Sequence, residues 1–313
     1  MTDPIPPWPG EFVPVGADRV FVRSAPALAG AEPGLFVHGL GGSATNWTDL
    51  MDVLRNPPGD GPDGPPLACE ALDLPGFGYS PLPADGDYSL DARAATVSGL
   101  IEKRGYWPVH LLGNSLGGAV CVRVAARRPD LVRTLTLISP ALPDLRPRAL
   151  PMRLGLLCAP AVGPWLMTRA SRISPEDRTS IVIRDIYADP SVVDAKRRAQ
   201  DIAELTRRDG LGYADNVLLA TGRGLVTEYF RRGPRSLWRD AARIAAPTLV
   251  MYGSHDRLVR PAMAAAAARA FRNARVVVLP RIGHVAMMER PELVAREMRG
   301  MLTATRRPAQ ARS

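Results

Sequence analysis

Cysteine, histidine and lysine are all scarce in this chain, and each shortage removes a class of protein. Its 313 residues include three cysteines, Cys69, Cys121 and Cys158. None lies in a C-x-x-C pair, and an odd total suits neither a disulfide scaffold nor a thiolate zinc site, so buried reduced thiols are expected. No two of the four histidines, His38, His110, His255 and His284, stand at metal-binding spacing, so neither a metal nor any other cofactor is expected. Lysine occurs only at Lys103 and Lys196, and the net charge of +9 is therefore carried by arginine. The arginines are scattered and not gathered beside aromatic residues, which argues against nucleic acid as a partner. A basic exterior does suit an anionic substrate, an acidic carrier protein or a membrane surface. The most apolar stretch, 149–170, is broken by Arg153, Arg169 and prolines, so no membrane span is expected. The N-terminal residues lack a basic segment followed by an apolar run, which points to a cytoplasmic protein without a secretory signal.

What is present is an alternation of apolar strands and amphipathic helices. Strands are predicted at 11–15 and 19–23 as a leading hairpin, then at 34–38, 67–72, 109–112, 131–138, 248–252 and 276–279. Helices are predicted at 47–55, 89–104 and 119–127, and the Pro/Gly-rich segment 56–66 reads as an exposed loop. This order indicates an α/β fold: a mostly parallel eight-stranded sheet with helices on both faces. From Ser139 to about Ala246 the alternation stops and helical patterns rich in Arg, Pro and Leu take over. The expected organisation is a core from 1–138 and 247–302, an inserted helical cap at 139–246 over the carboxyl ends of the strands, and a flexible tail at 303–313.

Chemistry is concentrated at Gly113-Asn114-Ser115-Leu116-Gly117. This G-x-S-x-G sequence falls between a predicted strand and a predicted helix, the setting of a nucleophile elbow, where small residues two positions either side let strand and helix crowd together. A serine is a weak nucleophile and needs a base oriented by an acid. Asp256 follows the strand at 248–252 and His284 follows the strand at 276–279, so both loops open on the edge of the sheet that carries Ser115. His255 is the competing base, but a side chain adjacent to Asp256 diverges from it. Asp144 is the alternative acid. Two backbone N–H donors must hold the oxyanion. Leu116 N–H, at the start of the helix, is one, and Leu40 N–H, in the loop His38-Gly39-Leu40-Gly41-Gly42, is the other. Trp47, Trp165 and Met287, with His38, Gly39 and Asn114, are the candidate substrate pocket.

These motifs, with Asp73-Leu74-Pro75-Gly76-Phe77-Gly78-Tyr79-Ser80, resemble the capped α/β-hydrolase superfamily, in its serine esterase/lipase-like branch, over nearly the whole chain. The resemblance implies that Asp73 is architectural and braces loops near the site. Ser115 departs from the aspartate nucleophile of haloalkane dehalogenases and epoxide hydrolases. Gly-Asn-Ser at the elbow is similar to hydrolases that cleave carbon–carbon bonds in ring-fission products. Those carry Gly-Pro-Gly in the oxyanion loop and Trp after the histidine, where this chain has Gly41-Gly42-Ser43 and Val285. The expected activity is hydrolysis of a small-molecule carboxylic ester with a hydrophobic acyl group, through Ser115, His284 and Asp256. Carbon–carbon hydrolysis is the runner-up, and a non-catalytic ligand-binding protein on the same scaffold is the third reading.

Overall fold

The computed structural model describes residues 5–306, apart from 57–63, 145, 147–151, 153, 154, 157 and 161. Eight strands form one sheet: β1 Gly10–Val15, β2 Asp18–Ser24, β3 Glu32–Val37, β4 Leu67–Leu72, β5 Val109–Asn114, β6 Val132–Ile138, β7 Thr248–Gly253 and β8 Ala274–Leu279. Their spatial order is β1-β2-β4-β3-β5-β6-β7-β8. β2 runs antiparallel to β1 and β4, and every other pairing is parallel. The central strands β5 and β7 are buried at every position, as continuous apolar runs must be when helices cover both faces.

One face is covered by α2 Leu90–Arg104, α3 Leu116–Arg127, α8 Leu237–Arg243 and α9 Met263–Ala270; the other by α1 Thr48–Arg55 and α11 Pro291–Arg306. Helix α2 is bounded as its sequence dictates. Ser89 Oγ accepts the Ala92 N–H at its start, and Gly105 closes it with φ of 72°. Between β6 and β7 the described residues form helices only: α4 Gly163–Ala170, α5 Pro175–Ile186, α6 Ala195–Asp209, α7 Ala214–Phe230 and α8, with short 3-10 turns between some of them. α10, Ala286–Glu289, follows β8.

Several expectations shift at their edges: β3 starts two residues early, β5 ends two residues late and α3 starts three residues early. Helix α11 runs to Arg306, four residues into the segment expected as a tail, and the rest of that segment lies outside the described residues, as does most of the 56–66 loop. Strand β8 starts at Ala274, two residues early, because this edge strand carries the exposed Arg275 that breaks its apolar pattern.

The inserted helices meet the core at the carboxyl ends of the strands. A Cβ on Gly76 would lie 2.8 Å from Val217 of α7, and one on Gly41 would lie 3.5 Å from Leu218. A buried ion network joins the same layers: Arg123 of α3 pairs with Asp91 of α2, Glu228 of α7 at 2.7 Å and Asp240 of α8 at 2.6 Å.

Candidate active site

Parallel pairing puts the ends of β3, β5, β6, β7 and β8 on one edge, and every residue expected to carry chemistry follows one of those ends. Ser115 joins β5 to α3 with φ of 52° and ψ of −117°, a conformation in which an L-residue is strained. Its backbone is held there on both sides. The Ser115 N–H donates to Ile138 O at 3.0 Å, and its carbonyl accepts from Ala119 and Ala141 at 3.1 and 2.9 Å. The flanking glycines are required by contact: a Cβ on Gly113 would collide with Gly117 O, and one on Gly117 with Val37 O.

His284 and Asp256 come together as the spacing suggested. His284 Nδ1 lies 2.9 Å from Asp256 Oδ2, and both residues are buried. The other carboxylate oxygen of Asp256 accepts the N–H groups of Leu258 and Val259 at 2.8 and 2.9 Å. Burial alone would raise the Asp256 carboxyl, but the charge and hydrogen bond of His284, with the Val259 N–H, hold it below its ordinary value. An ionised carboxylate only accepts, so Nδ1 of His284 carries a proton and Nε2 is the nitrogen turned away from Asp256. The rejected alternatives are engaged elsewhere. His255 is exposed and contacts its neighbour Ser254, and Asp144 is clamped by Arg260 through two bonds of 2.6 Å.

The 38–42 loop lies against the nucleophile, since a Cβ on Gly39 would sit 3.2 Å from Ser115 Cβ. Gly39 O accepts from His38 Nδ1 at 2.7 Å and from Gly42 N–H at 3.1 Å. Across a trans peptide the C=O and N–H point in opposite directions, so fixing Gly39 O also fixes the direction of Leu40 N–H. His38 Nε2 accepts the Leu74 N–H at 3.0 Å, which leaves Nδ1 as the protonated nitrogen. Burial pushes the His38 pKa down to about 3, so the ring stays neutral in this tautomer. Leu116 is the first residue of α3, where backbone N–H groups have no acceptor inside the helix. Asp73 braces this edge as expected, accepting the N–H groups of Ala44 at 2.7 Å and Tyr79 at 2.9 Å.

The candidate pocket is largely corrected. Trp47 is fully buried and packs its ring on Phe36 with centroids 5.4 Å apart, and Met287 is buried in the same core cluster. Both are packing residues, because the 3-10 turn at Ala44–Trp47 and helix α10 turn these side chains into the α1/α11 layer. Trp165 is 57% exposed on α4, with the Arg169 guanidinium over its ring. His38 is a brace, as above. Asn114 is buried and spends its side-chain N–H groups on Ile138 O at 3.0 Å and His284 O at 3.1 Å. Of the six, Gly39 and Asn114 lie directly beside Ser115.

Four hydrogen bonds had no signal in the sequence. The His284 N–H donates to Ile186 O of α5 at 2.7 Å. Buried Glu289 accepts the Gly283 N–H at 2.8 Å and the Ala188 N–H at 3.2 Å. Arg208, on α6, donates to Gly41 O at 2.7 Å. The His284 loop and the 38–42 loop are thus each tied to the inserted helices.

Known proteins agree with this architecture. A family model described as the alpha/beta hydrolase fold matches residues 35–291. Among curated relatives, the dihydrolipoyllysine-residue acetyltransferase component of the acetoin cleaving system of Cupriavidus necator is 29% identical over 87% of this chain. The chain spans 64% of that protein's length. An esterase of Mycobacterium tuberculosis is 27% identical over 86% of this chain and 82% of its own length. Among solved structures, a meta-cleavage product hydrolase of Pseudomonas fluorescens superposes with a TM-score of 0.73 at 16% identity, over 94% of this chain and 98% of that one. With a match that covers most of its length, this chain belongs to the alpha/beta hydrolase fold family.

Proposed function

We propose that this protein is a serine hydrolase that cleaves carboxylic esters through an acyl-enzyme on Ser115. The observation that carries the reading is the buried His284–Asp256 pair at 2.9 Å, on the sheet edge where Ser115 occupies its strained elbow. In this reading Ser115 Oγ attacks the ester carbonyl and His284 Nε2 takes its proton. Asp256 stabilises the imidazolium, and the N–H groups of Leu40 and Leu116 hold the tetrahedral oxyanion. Collapse expels the alcohol, which receives the proton from His284. Water, deprotonated by His284, then attacks the acyl-enzyme; the acid leaves and the proton returns to Ser115. The esterase relative of Mycobacterium tuberculosis supports an ester as substrate. Asn114, the elbow residue that resembled the carbon–carbon hydrolases, is committed to bracing two carbonyls and gives that branch no support. Trp47 and Met287 lie in the core and lend the expected hydrophobic acyl preference no support. The inserted helices between β6 and β7 act as the cap over this edge.

The test is labelling of the pure protein with a fluorophosphonate, followed by a panel of p-nitrophenyl esters of increasing chain length. Label on Ser115, absent from Ser115→Ala, with turnover of at least one ester, is the expected result. An unlabelled wild-type protein that turns over no ester overturns the reading.

A further inference from the structure

The oxyanion loop is held from two directions. From the core side, His38 and Gly42 N–H fix Gly39 O, and this sets the peptide that presents Leu40 N–H. From the side of the inserted helices, Arg208 Nη1 donates to Gly41 O at 2.7 Å. Gly41 has φ of 76°, so the turn passes through a conformation reserved for glycine, and its backbone is free of any side chain that would lock it locally. The Gly41–Gly42 peptide is therefore pinned at its two ends by different parts of the molecule: its N–H by Gly39 O, its C=O by Arg208.

Arg208 differs from its neighbours on α6 in what it touches. Arg197 pairs with Asp49, and Arg207 pairs with Glu204 while also donating to Gly78 O. Among the described residues no carboxylate forms an ion pair with Arg208; the hydrogen bond it makes is to the oxyanion loop. A charged donor on a carbonyl is stronger than a neutral one and is well suited to hold the far end of a loop whose near end is held by His38. The last turn of α6 thus reaches both glycine loops at this edge, 39–42 through Arg208 and 76–78 through Arg207.

We infer that Arg208 is a positioning residue for the reaction: its hydrogen bond to Gly41 O keeps Leu40 N–H aimed at the oxyanion, and the hole is complete only while α6 is seated on the core. The inference rests on the ester-hydrolase reading for its catalytic consequence, and on the Arg208–Gly41 contact alone for its structural one. Arg208 touches no reacting atom. Its removal leaves substrate binding intact and loosens a donor that acts in the transition state, which is an effect on kcat and not on KM.

Three variants test this: Arg208→Met, Arg208→Lys, and Arg198→Met as a control on the same helix, where among the described residues Arg198 donates to Ser180 of α5. Two measurements are made on each, with melting temperature recorded to establish folding. The first is hydrogen–deuterium exchange of the peptide spanning 38–47, which reads the loop whatever the enzyme's substrate. The second is kcat and KM on the best ester of the panel. Arg208→Met is expected to raise exchange in 38–47 and to lower kcat about 10- to 100-fold, less than deletion of a donor, with KM within about threefold. Arg208→Lys, which keeps a charged N–H donor, is expected to recover part of both, and Arg198→Met to match the wild type. Unchanged exchange in Arg208→Met, in a folded protein, overturns the inference even if no ester is cleaved. Raised exchange with unchanged kcat in an active enzyme overturns the catalytic consequence, and a loss carried by KM makes Arg208 a substrate contact instead. A wild type that is neither labelled nor active defeats the ester reading, and the exchange result still decides whether Arg208 holds the loop.

Discussion

Asn114 donates its side-chain amide to the backbone carbonyl of His284 at 3.1 Å, joining the residue before Ser115 to the histidine proposed to activate it. The second amide hydrogen goes to Ile138 O at 3.0 Å, so one buried side chain ties together the ends of β5, β6 and the loop after β8. Asn114→Ala leaves two buried carbonyls without this donor and is expected to cost about 1–3 kcal/mol in urea unfolding. Asn114→Asp is expected to be worse, because it sets a carboxylate against two carbonyl oxygens. If Asn114→Ala keeps full stability and full ester turnover, this brace is idle.

Asp256 does two jobs that one substitution separates. In Asp256→Asn the amide can offer an N–H to His284 Nδ1 and favour the wrong tautomer, so kcat is expected to fall about 10⁴-fold with KM little changed. Stability should respond in a definite direction. The folded-state pKa of Asp256 lies below its ordinary value, so its contribution is fully present above about pH 4 and is lost as pH falls through the lower folded value. Unfolding free energy measured from pH 7 downward should therefore fall less steeply on the acid side in Asp256→Asn than in the wild type. Equal acid slopes would mean that the carboxylate gains nothing from folding.

The sheet and the elbow were legible because their signals are local. Strand β4 at Leu67–Leu72 and helix α2 at Leu90–Arg104, capped by Ser89, are written in adjacent residues, and the glycines at 113 and 117 announce the close approach that the structure contains. Asp256 and His284 were readable for a related reason: each follows a recognisable strand, and parallel pairing brings such loops to one edge. What failed was the assignment of direction to side chains. Trp47 and Trp165 look alike as letters, yet one is inside and the other outside, and that depends on which layer covers each helix. The braces Asn114–His284 and Arg208–Gly41 span 170 and 167 residues, and no local pattern encodes a partner that distant.

Trp47 and Trp165 give a direct contrast. Trp47→Ala opens a cavity in a closed core and is expected to cost about 3–5 kcal/mol. Trp165→Ala removes a half-exposed ring and is expected to stay within about 0.5 kcal/mol of the wild type. The ester chain-length profile should be the same in Trp165→Ala and the wild type. A selective loss of long-chain turnover there would return this residue to the substrate pocket.

Arg123 offers the sharpest energetic test, because its charge has no exposure and its partners come from three helices. Its worth lies less in attraction than in what its absence would leave behind. Arg123→Met keeps most of the side-chain volume but takes the buried partner from Glu228 and Asp240, both nearly buried, and leaves them the more exposed Arg231 and Arg243; breaking a buried ion pair from one side costs about 3–5 kcal/mol. Arg128→Met makes the comparison: Arg128 pairs with Asp130 and Glu102 at the surface, where such pairs contribute about 0–1 kcal/mol. Chemical denaturation of the two variants should separate them clearly. The explanation by stranded charge makes a further demand. Replacing all three buried members together, as Arg123→Met, Glu228→Met and Asp240→Leu, should recover most of the loss, since a well-packed apolar cluster can match a buried ion network in stability. If the triple variant is no more stable than Arg123→Met alone, the network holds α7 and α8 on α3 by its attraction, and the stranded-charge account is wrong.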